Sequence, residues 1–523
     1  MGPEQSQIWR LFAFVLASLV AGTTNGQFDA LIDREVARQH GERETALISR
    51  CSDEVFLRRV YLDLSGRNPT AAQAREFLDS EAPNKRDALI DELIERPSFG
   101  VNLADRWDTE LTYGDSQWPL IPFTRWLQRQ FNEDRPWDET ARELLTATGA
   151  QFSNPAVTMF FGAGKNQTLS PEQATDLVGR AFMGITLECA QCHDHPNSEW
   201  THRQYWGIAG FLGNTTLTSK WPNRALAPSR EVHEVEGVVV GVADAAAPDW
   251  RYESPDRALN VVASLPDQET GTEGRAAAYR RVRYRAEFAD WLLQCETPYL
   301  ARSFVNRVWH HLFGCGLVDP VDDHRTNNPP RYTELHNELV KKFREDGYKI
   351  KKLYREICQS ATYQQEGVSH DDPRDLAGTN LRVLSPNQLF DCFHSILGEE
   401  AVTYTRGIYG ARGARRGFIR GFGDEASIGK PTSFSKGMRD FLKVLNSQKI
   451  EGGTRWRIEQ HRDLWDTPPA IVEELFLLTL SRRPSPNELS TMLQFIQESE
   501  SADQGYEGVL WTLLNSGEFF VIP

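Results

Sequence analysis

Within LECAQCHDHPNSEW, residues 187–200, two cysteines, two histidines and an aspartate fall inside seven residues of a 523-residue chain that holds only 7 Cys and 12 His. Cys189, Cys192 and His193 have the spacing C-x-x-C-H. Two intervening residues let one turn of backbone offer both sulfurs to the two vinyl groups of a haem. The adjacent imidazole then lies under the iron as an axial ligand. Haem c is therefore the leading expectation, with Cys189 and Cys192 as thioether anchors and His193 as the metal ligand. The same donors admit other uses. Cys189, Cys192, His193 and His195 could contribute ligands to a tetrahedral zinc, completed from elsewhere in the chain. A redox disulfide is a third use, although the β-α-β setting of a thioredoxin is missing. Plain packing is the fourth. His195 stands too close to His193 to reach the opposite face of one iron. Met159, Met183, Met438, His202, His310 and His311 are the candidates there, beside a vacant position. Phe182, Ile185 and Leu187 are expected to wall the porphyrin, with Trp200 and Trp206 near enough to join them.

A second cluster is DPVDDHR, residues 319–325, shortly after Asn306, Arg307, His310 and His311. Asp322, Asp323 and His324 could form a cation site or a general acid/base group. The plainer expectation is that the aspartates cap helices and pair with Arg307 or Arg325. The stretch YTRGIYGARGARRGFIRGF (404–422) interleaves five arginines with glycines. It reads as a solvated loop contacting acidic neighbours, or as a dock for a sulfate, a phosphate or an acidic glycan. Trp107, Trp118, Trp126, Trp137, Trp200 and Trp206 could stack sugars or a porphyrin, but at helical spacing they read mainly as core.

The compartment matters for all of this chemistry. Arg10 precedes an apolar run, Leu11 to Ala21, followed by the small residues Thr24 and Gly26. That is the form of a secretory signal over residues 1–26, too short to span a bilayer. The expectation is a mature protein exported to the periplasm or beyond, with no transmembrane span. Using Cys189 and Cys192 together leaves five cysteines, so at least one must remain an unpaired thiol. A net charge of −15 and 73 acidic against 58 basic residues argue against nucleic acid as a partner. Hydrophobic content of 40% with 14 Trp and 27 Phe suffices for genuine cores.

The elements that must position these residues read as mainly α. Helical periodicity marks 53–66, 71–80, 85–100, 100–113, 121–133, 137–147 and 171–188, with Ser170 and Pro171 opening the last. It returns at 296–314, 331–348 and 348–365. Between them, 214–273 is rich in Pro, Gly and Asp, and the valine-rich 231–242 reads as a strand or hairpin. The expected organisation is two helical domains, 27–213 and 274–523, joined by a short, partly β connector. VYLDLSGRNPTAAQAREFL (60–78) aligns with LFLLTLSRRPSPNELSTML (475–493), matching Leu62 to Leu477 and Pro69 to Pro484. Each copy predicts a helix, a tight turn and a capped second helix, from duplication or from shared turn chemistry.

VYLDLSGRNPT, DRPWDETARELLTATG and MGITLECAQCHDHPNSEWTHRQYWGIAGFL resemble the planctomycete cytochrome-c-associated family, the DUF1549 domain. PYLARSFVNRVWHHLFGCGLVDPVDDHRTNNPPRYTELHNELVKKF resembles its usual companion, the DUF1553 domain. The likeness covers about residues 30–212 and 280–520. Members commonly carry Phe where His324 stands and Arg where Cys315 stands. The resemblance implies an exported protein, and relatives often accompany or carry a separate cytochrome-c-like domain. The expectation is an exported c-type haem protein in electron transfer or redox chemistry, with a redox partner protein or a cell-surface assembly. The alternatives are a zinc-type hydrolase of extracellular polysaccharide, with Asp322, Asp323 and His324 as acid/base groups, and a non-catalytic helical scaffold.

Overall fold

A computed structural model describes residues 29–42, 49–112, 121–150, 153–161, 171–212, 284–368, 376, 378–398, 415, 418–419, 448–461 and 467–523, with short strands between 215 and 282. The first half is helical: α1 Asp29–Glu42, α2 Asp53–Ser65, α3 Ala71–Asp79, α4 Lys85–Glu95, α5 Pro97–Thr112, α6 Ile121–Asn132, α7 Trp137–Thr146, α8 Pro171–Val178 and α9 His202–Leu212. After the connector come α10 Tyr284–Gln294, α11 Tyr299–Phe313, α12 Thr333–Glu345, α13 Ile350–Gln359 and α14 Pro386–Leu397. Then follow α15 Gln448–His461, α16 Pro468–Leu480, α17 Pro486–Glu498 and α18 Ala502–Leu514. The protein is mainly α. β1 Gly149–Ala150, β2 Thr215–Lys220 and β3 Ser229–Glu234 form a small sheet in the order β1-β3-β2. β3 lies antiparallel to β2, with Leu217 opposite Val232, so residues 231–234 of the valine-rich segment form a strand. β4 Arg382–Val383 pairs with β5 Val521–Ile522. No helix among the described residues is long and apolar enough to cross a membrane. The N-terminal 1–26, Trp118, Ser170 and Met438 lie outside the described residues.

Apolar residues sort into two clusters, and the division does not fall at the connector. The first runs from Ile32 to Leu376, taking residues from both sides of 214–273. Its centre is aromatic. Trp107 of α5 and Trp137 of α7 lie 4.4 Å apart, and Phe304 of α11 packs at 5.4 and 4.7 Å from them. Phe343 of α12 stacks on Phe304 at 5.2 Å. The second cluster runs from Leu384 to Ile522. Leu62 of α2 belongs to this second cluster and Leu477 of α16 to the first. These are equivalent positions of the internal repeat, so the two copies meet where the cores meet.

Both copies use the same local device. α2 ends at Gly66 with φ 70, and α16 ends at Ser481 with φ 60. A left-handed residue closes each helix and turns the chain. Thr70 with Gln73, and Ser485 with Glu488, then form capping boxes that open α3 and α17. Two buried arginines of α2 hold the far end of the chain. Arg58 donates to the carbonyls of Thr479 (2.9 Å) and Phe519 (2.6 Å). Arg59 donates to those of Gln365 (2.8 Å) and Pro523 (2.6 Å). Such carbonyls would otherwise be buried without partners.

One element departs from the periodicity. Instead of one helix over 171–188, α8 passes into a π turn, Gly179–Met183, and stops at Gly184 with φ 68. A Cβ at Gly184 would lie 2.8 Å from the His324 ring, so the close approach and the left-handed backbone both call for glycine. Residues 188–191 then form an isolated 3-10 turn.

Candidate functional site

Cys189 sits on that 3-10 turn, Cys192 closes it and His193 follows, between the break at Gly184 and the start of α9. Cys189 and Cys192 are both exposed free thiols. His193 is exposed too, and its Nδ1 lies 2.7 Å from the Asp194 carbonyl. A carbonyl oxygen only accepts, so Nδ1 carries the proton. In the neutral ring that tautomer keeps the lone pair on Nε2, the form in which imidazole binds a metal.

The backbone of the turn is tied down although its reactive side chains are not. His202 and Trp206, one turn apart on α9, hold successive carbonyls. The His202 Nδ1–H donates to Ala190 at 3.1 Å, and the Trp206 Nε1–H donates to Gln191 at 3.0 Å. The Asp194 carboxylate accepts the His202 backbone N–H at 2.8 Å. That N–H has no partner inside the helix, and a carboxylate suits the positive helix end. Thr201 and Gln204 exchange bonds of 2.9 and 3.2 Å, satisfying a second helix-end donor. The His195 backbone N–H donates to Trp200 at 2.8 Å, and its ring Nδ1 accepts the Asn197 N–H at 3.2 Å. Burial and the nearby Arg325 guanidinium lower the His195 pKa, while Asp323 opposes them.

The structure brings the second sequence cluster against the first. Ile185 forms an antiparallel bridge with Asp323. The Thr186 hydroxyl donates to the Asp322 carbonyl at 3.0 Å, and the His324 N–H donates to Gly184 at 3.1 Å. Thr326 donates to Glu199 at 3.1 Å. The loop 319–326 thus clamps the segment that carries the thiols. Its acidic side chains Asp322 and Asp323 are engaged in ion pairs. Asp322, 3% exposed, pairs with Arg307, which also reaches Glu110 at 2.7 Å and the Arg180 carbonyl at 2.9 Å. Burial raises the Asp322 carboxyl to about 6, with Arg307 holding it back. Asp323 pairs with Arg325. The His324 Nδ1–H donates to Gly184 at 3.0 Å, and its ring lies 5.6 Å from that of His336. Burial lowers His324 to about 3 and His336 to about 4, so both are neutral.

Several expected neighbours lie elsewhere. Phe182, Ile185 and Leu187 face the protein interior rather than an open wall, and Phe182 stacks on Trp137 at 6.2 Å. Trp107, Trp126, Trp137, Trp200 and Trp206 are core residues, each at most 5% exposed. Met159 and Met183 are fully buried. His310 and His311 sit in α11, where burial lowers both pKa values, His310 to about 4. Of loop 404–422, only Arg415, Phe418 and Ile419 are described; Arg415 forks onto Asp105 (2.8 Å) and Asp391 (2.8 Å). The other cysteines are free thiols as well, and burial pushes Cys392 up to about 12. Sequence reasoning missed Glu110, His336, and the roles of Asp194, His202 and Trp206 behind the turn. The i, i+4 spacing of His202 and Trp206 was the available signal.

Residues 31–217 match the family model described as "Protein of unknown function (DUF1549)", and residues 284–404 match "Protein of unknown function (DUF1553)". The chain is a DUF1549–DUF1553 protein. The clamp joins these two matched regions, since Gly184, Thr186 and Glu199 lie in the first and Asp322, His324 and Thr326 in the second. No curated protein and no solved structure matches the chain.

Proposed function

We propose that this DUF1549–DUF1553 protein is an exported c-type haem protein that works in electron transfer or redox chemistry. Cys189 and Cys192 would hold the haem through thioether bonds, and His193 would bind the iron through Nε2. The observation that carries this reading is the turn itself: two exposed thiols three residues apart, next to an exposed imidazole whose Nδ1 lies 2.7 Å from the Asp194 carbonyl. Covalent attachment asks for thiols spread along a turn. A tetrahedral ion asks for three or four donors converging on one point. Among the described residues no three Cys, His, Asp or Glu side chains converge in that way. The C-x-x-C-H spacing of Cys189, Cys192 and His193 is what favours haem over zinc in this reading.

A haem held here supplies one-electron chemistry. The chain's own residues do the rest. The Asp194 carbonyl keeps the proton at Nδ1 and the lone pair at Nε2. His202 and Trp206 keep the thiol-bearing backbone from rearranging. Exposure of the turn lets a redox partner approach directly, and the net charge of −15 favours a partner with a basic face. The polysaccharide-hydrolase reading draws less support, because Asp322 and His324 are 3% and 4% exposed, out of reach of an extended chain.

The test is to produce the full chain in a bacterial host that matures c-type cytochromes and to stain a denaturing gel for haem. A stained band that disappears in Cys189→Ser/Cys192→Ser supports the reading. An unstained wild-type band, with about one zinc per chain by metal analysis, overturns it.

A further inference from the structure

Resting on the haem reading above, the geometry assigns Asp194 as a positioning residue that sets the electron donation of His193. Asp194 acts with both of its ends. Its main-chain carbonyl accepts the His193 Nδ1–H at 2.7 Å. Its carboxylate accepts the first N–H of α9, that of His202, at 2.8 Å. The second contact fixes the first, because the carboxylate anchors Asp194 to a rigid helix and so fixes where its carbonyl points.

Helix α9 is a suitable anchor. Residues 205–212 are buried in the first core, and His202 and Trp206 grip the carbonyls of Ala190 and Gln191. The middle of the C-x-x-C-H segment and the residue that follows it are therefore referred to the same helix turn. A ligand imidazole whose second nitrogen donates to a fixed acceptor is a stronger donor through the first. Stronger donation favours the oxidised iron and lowers the reduction potential. Asp194 itself is exposed, so replacing it leaves the core intact.

The experiment compares wild type, Asp194→Ala and Asp194→Asn, each produced as full chain in the maturation-competent host. Haem staining reports attachment, and a redox titration followed by absorbance reports the midpoint potential. Histidine-selective 15N–1H NMR of haem-free protein reports the His193 tautomer. Asp194→Ala is expected to raise the potential, and to turn a single Nδ1–H tautomer into a mixture. Asp194→Asn is expected to match wild type in both, because its amide oxygen accepts the same N–H. An unchanged potential and tautomer in Asp194→Ala overturns the assignment while leaving the haem reading intact. So does an Asn variant that shifts as far as Ala. Haem-free wild type from this host overturns the underlying reading, and the assignment falls with it.

Discussion

The turn 188–195 and the loop 319–326 contain similar chemistry and use it in opposite ways. Both are short, both crowd histidine beside acid, and the loop bridges the chain just before the turn, pairing Asp323 with Ile185. The turn bonds its backbone and leaves Cys189, Cys192 and His193 in solvent. The loop buries Asp322 and His324 and pairs Asp322 with Arg307. A reactive side chain is available only when other groups do the holding. Here the loop and α9 hold, and the turn is held.

The sharpest way to break this contrast is to remove the loop's cation. Arg307→Ala removes the partner of the buried Asp322, whose carboxyl must then remain charged without a counter-ion or take up a proton, and denaturant unfolding should show a loss of about 3–5 kcal/mol. A loss below about 1 kcal/mol would mean that the ion pair does not support the fold. Next is pH. The folded-state pKa values of His324 and His336 lie far below the ordinary 6.5, so their contribution is full above pH 6.5 and is lost as pH falls toward 3 or 4. Each should cost roughly 2 kcal/mol between pH 6.5 and pH 5. Unfolding of His324→Phe at pH 7 and pH 5 should therefore show a smaller acid loss than wild type, by about half of the two-histidine effect. Gly184→Ala tests the junction between the two regions. Its left-handed φ alone should cost about 1–2 kcal/mol by thermal unfolding, before any displacement of His324. The smallest expected effect is on the turn. Cys189→Ser/Cys192→Ser should change the stability of haem-free protein by no more than about 0.5 kcal/mol, because both side chains are in solvent. A large loss there would remove the distinction between the held and the holding region.

Much of this was legible in residue order. The repeat at 60–78 and 475–493 forms two helix pairs with left-handed closures and capping boxes, because Gly66, Thr70 and Ser485 act through local geometry. The expected pairing of Asp322 and Asp323 with Arg307 and Arg325 is present, since these partners lie within a short stretch. The break at Gly184 was hidden inside a good helical pattern, because its cause is His324, 140 residues away. The direction of Phe182, Ile185 and Leu187 was hidden for the same reason. Apolar residues beside a site pack toward whatever core the tertiary fold offers, and Trp137 lies on that side. Trp206 is near the motif as its sequence position suggests, but it bonds the Gln191 backbone from behind. Periodicity does not reveal that both sides of 214–273 share one core, because it describes each helix and not its neighbours.

The intact mass of denatured, full-length protein from a cytochrome-c-maturing host tests the central claim most directly. The account predicts the processed polypeptide plus one haem, with the added mass mapping to the peptide that contains Cys189 and Cys192. The mass of the bare polypeptide, from cells that load a control c-type cytochrome, would contradict it.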